Sequence, residues 1–348
     1  MTTIRDVAAR AGVSATTVSH VLNETRRVEP ETIDRVQRAI DELGYRPNSV
    51  ARSMRHGRTY TVGIIIPDVS NPFFADLARA LEDAAFAGGY SAIFCNSDGD
   101  GHKEARYLDV LLSKRVDGLV LVSAGQSSDR LQHIVEAGPP MVVVDRELED
   151  LPVSQVMVDN RLGGYLAGQY LVGLGHRRIG VIAGPAALRP SARRLEGIRE
   201  ALREARVPLP PELISRGEFN NAGGRHAMQA LLDLDSPPTA VFAENDLMAL
   251  GALAVAHDAG LRIPDDLSVM GFDDIGIANL VTPALTTIAQ PVQLVAQSAM
   301  RLLFDHLRDP ATTPERVALP VTVVVRGSCS APAQVALMGS PAAGGITP

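Results

Sequence analysis

Cysteine is scarce in this chain of 348 residues: there are two, Cys95 and Cys329, far apart. A disulfide scaffold and a cysteine-based zinc cluster are thereby excluded, and the usage suits a reducing cytosol. No stretch approaches the roughly 18 apolar residues of a membrane span. The first 20 residues hold Arg5, Asp6 and Arg10 and no apolar run, so no secretory signal is visible and a cytoplasmic location is expected. The 30 glycines and 23 prolines follow no repeat, which excludes a collagen-like chain. The eight histidines lack metal-ligand spacing, so no metal is expected. Gly173 and Gly175 follow a helical stretch rather than a strand, so they make no dinucleotide fingerprint, and no cofactor is expected. Asp98 and Asp100 resemble a fragment of a calcium loop, but its later ligands are missing. There is no G-x-S-x-G elbow and no Ser/His/Asp set. Asp273 and Asp274 are a carboxylate pair on paper, yet adjacent strand-end residues normally point apart, so no enzyme is expected.

What is present looks globular. Hydrophobic residues make up 46% and charged residues 21%, and the length suits two or three domains. The net charge of −7 is uneven. Residues 1–60 carry ten arginines against seven acids, a net of +3; the remainder carries 23 bases against 33 acids, a net of −10. A basic segment on an acidic body points to one local contact with a polyanion, although many solvated surfaces share this pattern.

Residues 1–46 read as three short helices. Thr3 can cap the first, with Asp6 completing a box-like pair. Ile4, Val7, Ala8 and Ala11 make one apolar face, and Gly12 ends it. Ser14 caps the second helix, which turns Val18, Val21 and Leu22 inward. The third opens at Pro30, buries Ile33, Val36, Ile40 and Leu43, and stops at Gly44. Two helices around a tight glycine turn and a brace helix form a helix-turn-helix unit. Ala15, Thr16, Thr17, His20 and Asn23 are its candidate DNA-contacting residues. Small and polar side chains let a helix sit deep in the major groove, where Thr and His can bond base edges. A generic three-helix bundle with a solvated face fits the same pattern.

The stretch T-I-R-D-V-A-A-R-A-G-V-S-A-T-T-V-S-H-V-L-N, followed by L-G-Y-R-P-N-S-V-A-R-S-M-R, closely resembles the head of the lactose-repressor family of bacterial transcription regulators, and the resemblance runs to about residue 327. Residues 47–60 then read as a hinge. Arg46-Pro47 breaks the third helix, and Asn48 can cap a short helix to about Arg55. At eight residues that helix is too short to be stable alone in water. The resemblance implies that two such helices pair in the minor groove and wedge an apolar side chain into a base step. The family usually has Leu there and this chain has Met54, with Arg52 and Arg55 suited to phosphates. A solvated linker with Met54 packed on the core is the plain alternative.

From residue 61 apolar runs such as 62–66, 118–122, 141–145, 179–183, 240–243 and 268–272 alternate with amphipathic stretches such as 73–87, 104–114, 160–174, 192–205 and 246–259. That alternation predicts parallel sheets covered by helices. About eleven strands exceed one common doubly wound sheet, so 61–328 is expected to be an α/β core of two doubly wound lobes. The resemblance implies a periplasmic-binding-protein-like body in which the chain crosses between lobes three times. The first lobe would span about 61–160 and 290–319, and the second about 161–289 and 320–328. Residues 329–348, rich in Ala, Gly, Pro and Ser, read as a disordered tail without the leucine heptads of a tetramer coil.

Ligands of open α/β sheets sit beyond the carboxyl ends of strands. Those ends carry Asn71, Phe73, Phe74, Asp145, Arg146, Arg194, Phe219, Asn245, Asp273 and Gln290. The phenylalanines can cover the C–H faces of a sugar, and the charged and amide groups can bind vicinal hydroxyls in pairs. Singly, each has a plain role: Phe74 in a core-facing helix, Asn245 and Asp273 as caps or turn formers, Asp145-Arg146 as a surface ion pair. Together they resemble the site of the periplasmic ribose-binding proteins, which implies ribose or a close pentose as effector. A purine is the family alternative. The purine-responsive repressors have an Arg and a Thr in a region where this chain reads Leu188-Arg189-Pro190. The sequence is therefore expected to encode a homodimeric repressor that binds pseudo-palindromic operator DNA under control of a small sugar. A sugar-binding transport component and an enzyme acting on a sugar or nucleoside are the rivals.

Overall fold

In a computed structural model of the chain, residues 2–23, 26–45, 57–122, 128–145, 148 and 151–333 are described. Residues 1–59 and 60–348 form two separate compact units.

The first unit contains α1 (Ile4–Ala11), α2 (Ala15–Asn23) and α3 (Pro30–Leu43). Thr3 and Asp6 form the reciprocal capping box, and Gly12 and Gly44 close α1 and α3 in the left-handed conformation that glycine adopts without strain. Ser14 caps α2 by accepting from the Thr17 amide at 3.0 Å. Val7, Val18 and Val36, one from each helix, are fully buried and form the centre of a small core. The brace helix corrects the sequence reading at one point. Ile33 is 41% exposed, and Ala39 is the buried partner of Val36. Ile33 stands in the first turn of α3, ahead of the stretch that the core covers.

The second unit has two six-stranded sheets. The first sheet uses β1 (Thr61–Ile66), β2 (Ser91–Asn96), β3 (Gly118–Val122), β4 (Met141–Val144), β5 (Ser154–Val158) and β11 (Arg316–Leu319). The second uses β6 (Ile179–Ala183), β7 (Ile214–Arg216), β8 (Ala240–Ala243), β9 (Ser268–Asp273), β10 (Thr286–Ala289) and β12 (Thr322–Val324). The orders are β11-β5-β4-β3-β1-β2 and β12-β10-β9-β8-β6-β7. All pairings are parallel except β10 with β12. The chain passes between sheets after β5, after β10 and after β11.

The helices between strands are α4 (Pro72–Ala87), α5 (Gly101–Ser113), α6 (Ser128–Ala137), α7 (Asn160–Gly173), α8 (Arg189–Glu204), α9 (Asn221–Leu232), α10 (Asp246–Asp258) and α11 (Val292–Arg308). Strands such as β3 and β6 are buried at every position, as parallel strands covered on both faces must be. Contacts between α7 and α8 bring one backbone against the other. A Cβ on Gly164 would lie 1.9 Å from the Arg194 carbonyl oxygen, and one on Gly197 would lie 1.9 Å from that of Arg161. That approach fixes α8, and with it Arg194, relative to the crossover from the first lobe.

Candidate functional site

In each sheet the strand order reverses beside the earliest strand: at β1–β3 in the first and at β6–β8 in the second. Such reversals open a crevice at the carboxyl ends of the strands, where neighbouring connections leave in opposite directions. A cavity of about 500 Å3 lies there, lined by residues of both lobes. It includes Asn71, Phe73, Phe74, Asp145, Arg194, Phe219, Asn245, Asp273 and Gln290. The structure thus brings together nine of the ten residues singled out at strand ends. The tenth, Arg146, lies outside the described residues, as do Arg52, Met54 and Arg55 of the hinge.

The first-lobe wall is mostly aromatic. Asn71 caps α4, its side-chain oxygen accepting from the Phe73 amide at 3.0 Å. That cap directs Phe73 and Phe74 to the cleft, where their rings meet edge to face at 5.1 Å. Phe73 is buried and belongs to the apolar cluster of the second lobe. β4 is followed directly by Asp145, whose backbone is left-handed, with φ of 56°. Its Oδ1 is buried and has no hydrogen-bond partner among the described residues. Burial pushes its carboxyl up to about 6 despite the Arg194 charge.

The second-lobe wall is polar and internally bonded. The Arg194 Nε donates to Asn160 Oδ1 at 2.8 Å, and Nη1 donates to the Glu244 carbonyl. The guanidinium sits 3.6 Å above the Phe272 ring centre, a cation–π contact. Asp273 accepts from Gln290 Nε2 at 2.7 Å and faces Arg194 at 3.9 Å. Its φ of 116° is strained for a residue with a Cβ, a cost that recurs where a side chain must be aimed at a ligand. Burial outweighs Arg194 and Gln290 and lifts its carboxyl to about 7. Asn245 performs the capping role as well: its Oδ1 accepts from the Met248 amide at 2.9 Å, while Nδ2 donates to the Phe219 carbonyl at 3.2 Å. Phe219 lies over Gly184, where even a Cβ would meet the ring at 2.4 Å.

Sequence reasoning missed Asn160, Ser191 and Glu244, and it noted Asp246 at its strand end without making it a candidate. Glu244 is fully buried directly after β8, and Asp246 is buried with its oxygens on the Ile275 amide and the Thr287 hydroxyl. Desolvation raises Asp246 far above the usual carboxylate range. The strand-end rule, begun one residue earlier, would have found Glu244 as well. Nothing local marks Asn160, which matters because α7 and α8 touch.

In the first unit, Thr16 is exposed and Ala15 packs on the head core. Thr17 bonds the Ser14 hydroxyl at 2.9 Å, and His20 is half-buried. The side chain of Asn23 lies outside the described residues. Among the described residues no group of three or more His, Cys, Asp or Glu is placed to hold a metal, and no helix is long and apolar enough to cross a membrane.

Residues 3–48 match the family described as bacterial regulatory proteins, lacI family, and residues 169–329 match the periplasmic binding protein-like domain. The HTH-type transcriptional repressor PurR of Proteus mirabilis is 42% identical over 321 residues, which cover 90% of this chain and 94% of that protein. The lac repressor dimer bound to operator and the anti-inducer ONPF superposes with a TM-score of 0.85 at 28% identity, covering 95% of this chain and 99% of that one. A LacI family transcriptional regulator from Enterococcus faecium, solved with bound ribose, gives 0.72 at 33% identity, covering 78% and 99%.

Proposed function

The chain belongs to the lacI family of bacterial regulatory proteins, and from that premise we propose that it represses transcription from a pseudo-palindromic operator as a homodimer, under control of a small polar effector held in the cleft. As a member of that family it is a DNA-binding transcriptional regulator, not an enzyme. In this reading Thr16 and His20 on α2 read bases, with Ala15, Thr17 and Asn23 on the same helix. Residues 47–60 act as the hinge, with Met54 as the minor-groove wedge and Arg52 and Arg55 on phosphates. The dimer reading is supported by apolar side chains left in water: Ile93 and Phe94 on the edge strand β2, Phe86 on α4 at 76% exposure, and Leu280 on the second lobe at 78%.

Two effectors compete. The repressors named PurR support a purine, and at 42% identity they lend more sequence support than the ribose-bound neighbour at 33% lends a pentose. The lining of the cleft weighs the other way. Leu188 and Pro190, neither of which has a polar side chain, line the cavity in the stretch where the purine-responsive repressors have an Arg and a Thr. The observation that supports the pentose reading is that Asp145, Arg194, Asp273 and Gln290 line one cavity with Phe73, Phe74 and Phe219, which puts acceptors and donors for hydroxyls beside apolar rings. Calorimetric titration of the full-length protein with D-ribose, hypoxanthine and guanine, each with and without operator, tests both. Ribose binding is expected to change with operator by the same factor as operator binding changes with ribose. Binding of a purine with no ribose binding at millimolar concentration would replace the pentose by the purine.

A further inference from the structure

Glu244 lies outside the cavity lining, yet it joins three parts of the second-lobe wall. Its Oε2 accepts from the Gly184 amide at 2.8 Å and from the Ser191 hydroxyl at 2.5 Å. Gly184 is the surface on which Phe219 rests, and Ser191 lies in the first turn of α8, three residues before Arg194. Its own carbonyl takes the Arg194 guanidinium. That first turn has Leu188 at its cap position and no side-chain cap, so the bond from Ser191 to Glu244 supplies the tether a cap would otherwise provide. The other oxygen, Oε1, is buried and has no hydrogen-bond partner among the described residues.

We propose that Glu244 is a positioning residue for the effector site, clasping the Phe219 shelf and the start of α8 so that Arg194 is presented at one fixed angle. The inference rests on the reading of the cleft as an effector site. The clasp works best as the neutral acid. A buried carboxylate with one unbonded oxygen is costly, whereas a protonated carboxyl keeps Oε2 as acceptor. Burial accordingly lifts this carboxyl to about 7, against the pull of its two donors and of Arg194 and Arg216. The charged groups that act on it are Arg194 on α8 and Arg216 on β7, and Arg194 in turn faces Asp273 at the end of β9 and acts on Asp145 across the cleft. Once ionised, Glu244 competes with Asp273 for Arg194.

The first test needs no ligand. In hydrogen exchange of the full chain, Glu244→Ala is expected to lose protection in residues 188–195 while the rest of α8 is unchanged, and Glu244→Gln is expected to retain it. Unchanged exchange in Glu244→Ala would overturn the clasp. The second test titrates D-ribose and hypoxanthine at pH 6 and pH 8.5. Wild type is expected to bind its effector several-fold more weakly at pH 8.5, Glu244→Gln to show a smaller pH dependence, the remainder coming from Asp273 and Asp145, and Glu244→Ala to bind at least tenfold more weakly at both. A Glu244→Gln profile parallel to wild type would overturn the role in effector binding. If wild type binds neither probe, the effector reading itself fails, while the exchange result still decides the clasp.

Discussion

On the second-lobe side of the cleft, Arg194, Asn245, Asp273 and Gln290 all bond to protein partners. On the first-lobe side, Asp145 has a buried oxygen without one, beside the paired rings of Phe73 and Phe74. The second lobe is a socket already assembled, and the first lobe supplies apolar cover and one unsatisfied acceptor. On the proposed reading, an effector that fills the socket also bonds Asp145, so its binding would favour the arrangement in which the two walls meet. That difference gives the ligand a hold on the lobe angle, which is what an allosteric regulator requires.

The largest effect should fall on the socket. Arg194→Ala removes donors to Asn160 and Glu244 and leaves Asp273 buried without its cation. Charge-assisted bonds contribute about 1.5–3 kcal/mol each, so effector affinity should fall about a hundredfold or more, with a lowered melting temperature. Asp145→Asn should cost about tenfold by the same scale and raise stability slightly, since it removes an unsatisfied charge. Equal losses in the two variants, measured calorimetrically, would erase the contrast between the walls. Phe219→Ala should cost about 1–2 kcal/mol from the apolar face, comparable to Asp145→Asn, and leave operator binding in the absence of effector near normal.

Acidity sharpens the same contrast. Unfolded carboxyls ionise near pH 4, whereas Asp145 is held near 6 and Asp273 near 7. Between those values the folded state resists losing protons that the unfolded state has released. Stability is therefore expected to fall as pH rises from about 4 to 7 and to level off above. Melting curves of ligand-free protein at pH 5 and pH 8 check this. Asp273→Asn should flatten the slope more than Asp145→Asn.

The smallest effects belong to the head. Thr16→Ala should leave melting and effector binding unchanged and shift operator preference by about 1–3 kcal/mol at one base pair, read by competition between operator variants. A uniform loss across sequences would move Thr16 from base reading to a backbone contact.

What the residues determined alone is what depends on near neighbours. The capping box of Thr3 and Asp6, the left-handed glycines 12 and 44 and the alternation of buried strands with helices all follow from interactions a few residues apart, and they suffice for a helix-turn-helix head and a two-sheet α/β core. The strand-end rule was also enough to collect Phe73, Asp145, Arg194 and Asp273 as candidates, because chain direction in a parallel sheet puts all such ends on one side. Tertiary structure decided the rest. Ile33 has the periodicity of a core residue and lies outside the core, because burial depends on what packs against it. Asn245 looked like a cap or a ligand and is a cap that also lines the cleft. Asn160 and Glu244 are 84 residues apart in sequence and meet on Arg194 because two glycines let α7 and α8 touch. Desolvation, which sets the protonation of these buried acids, is a property of the closed interior, and no stretch of sequence carries it by itself.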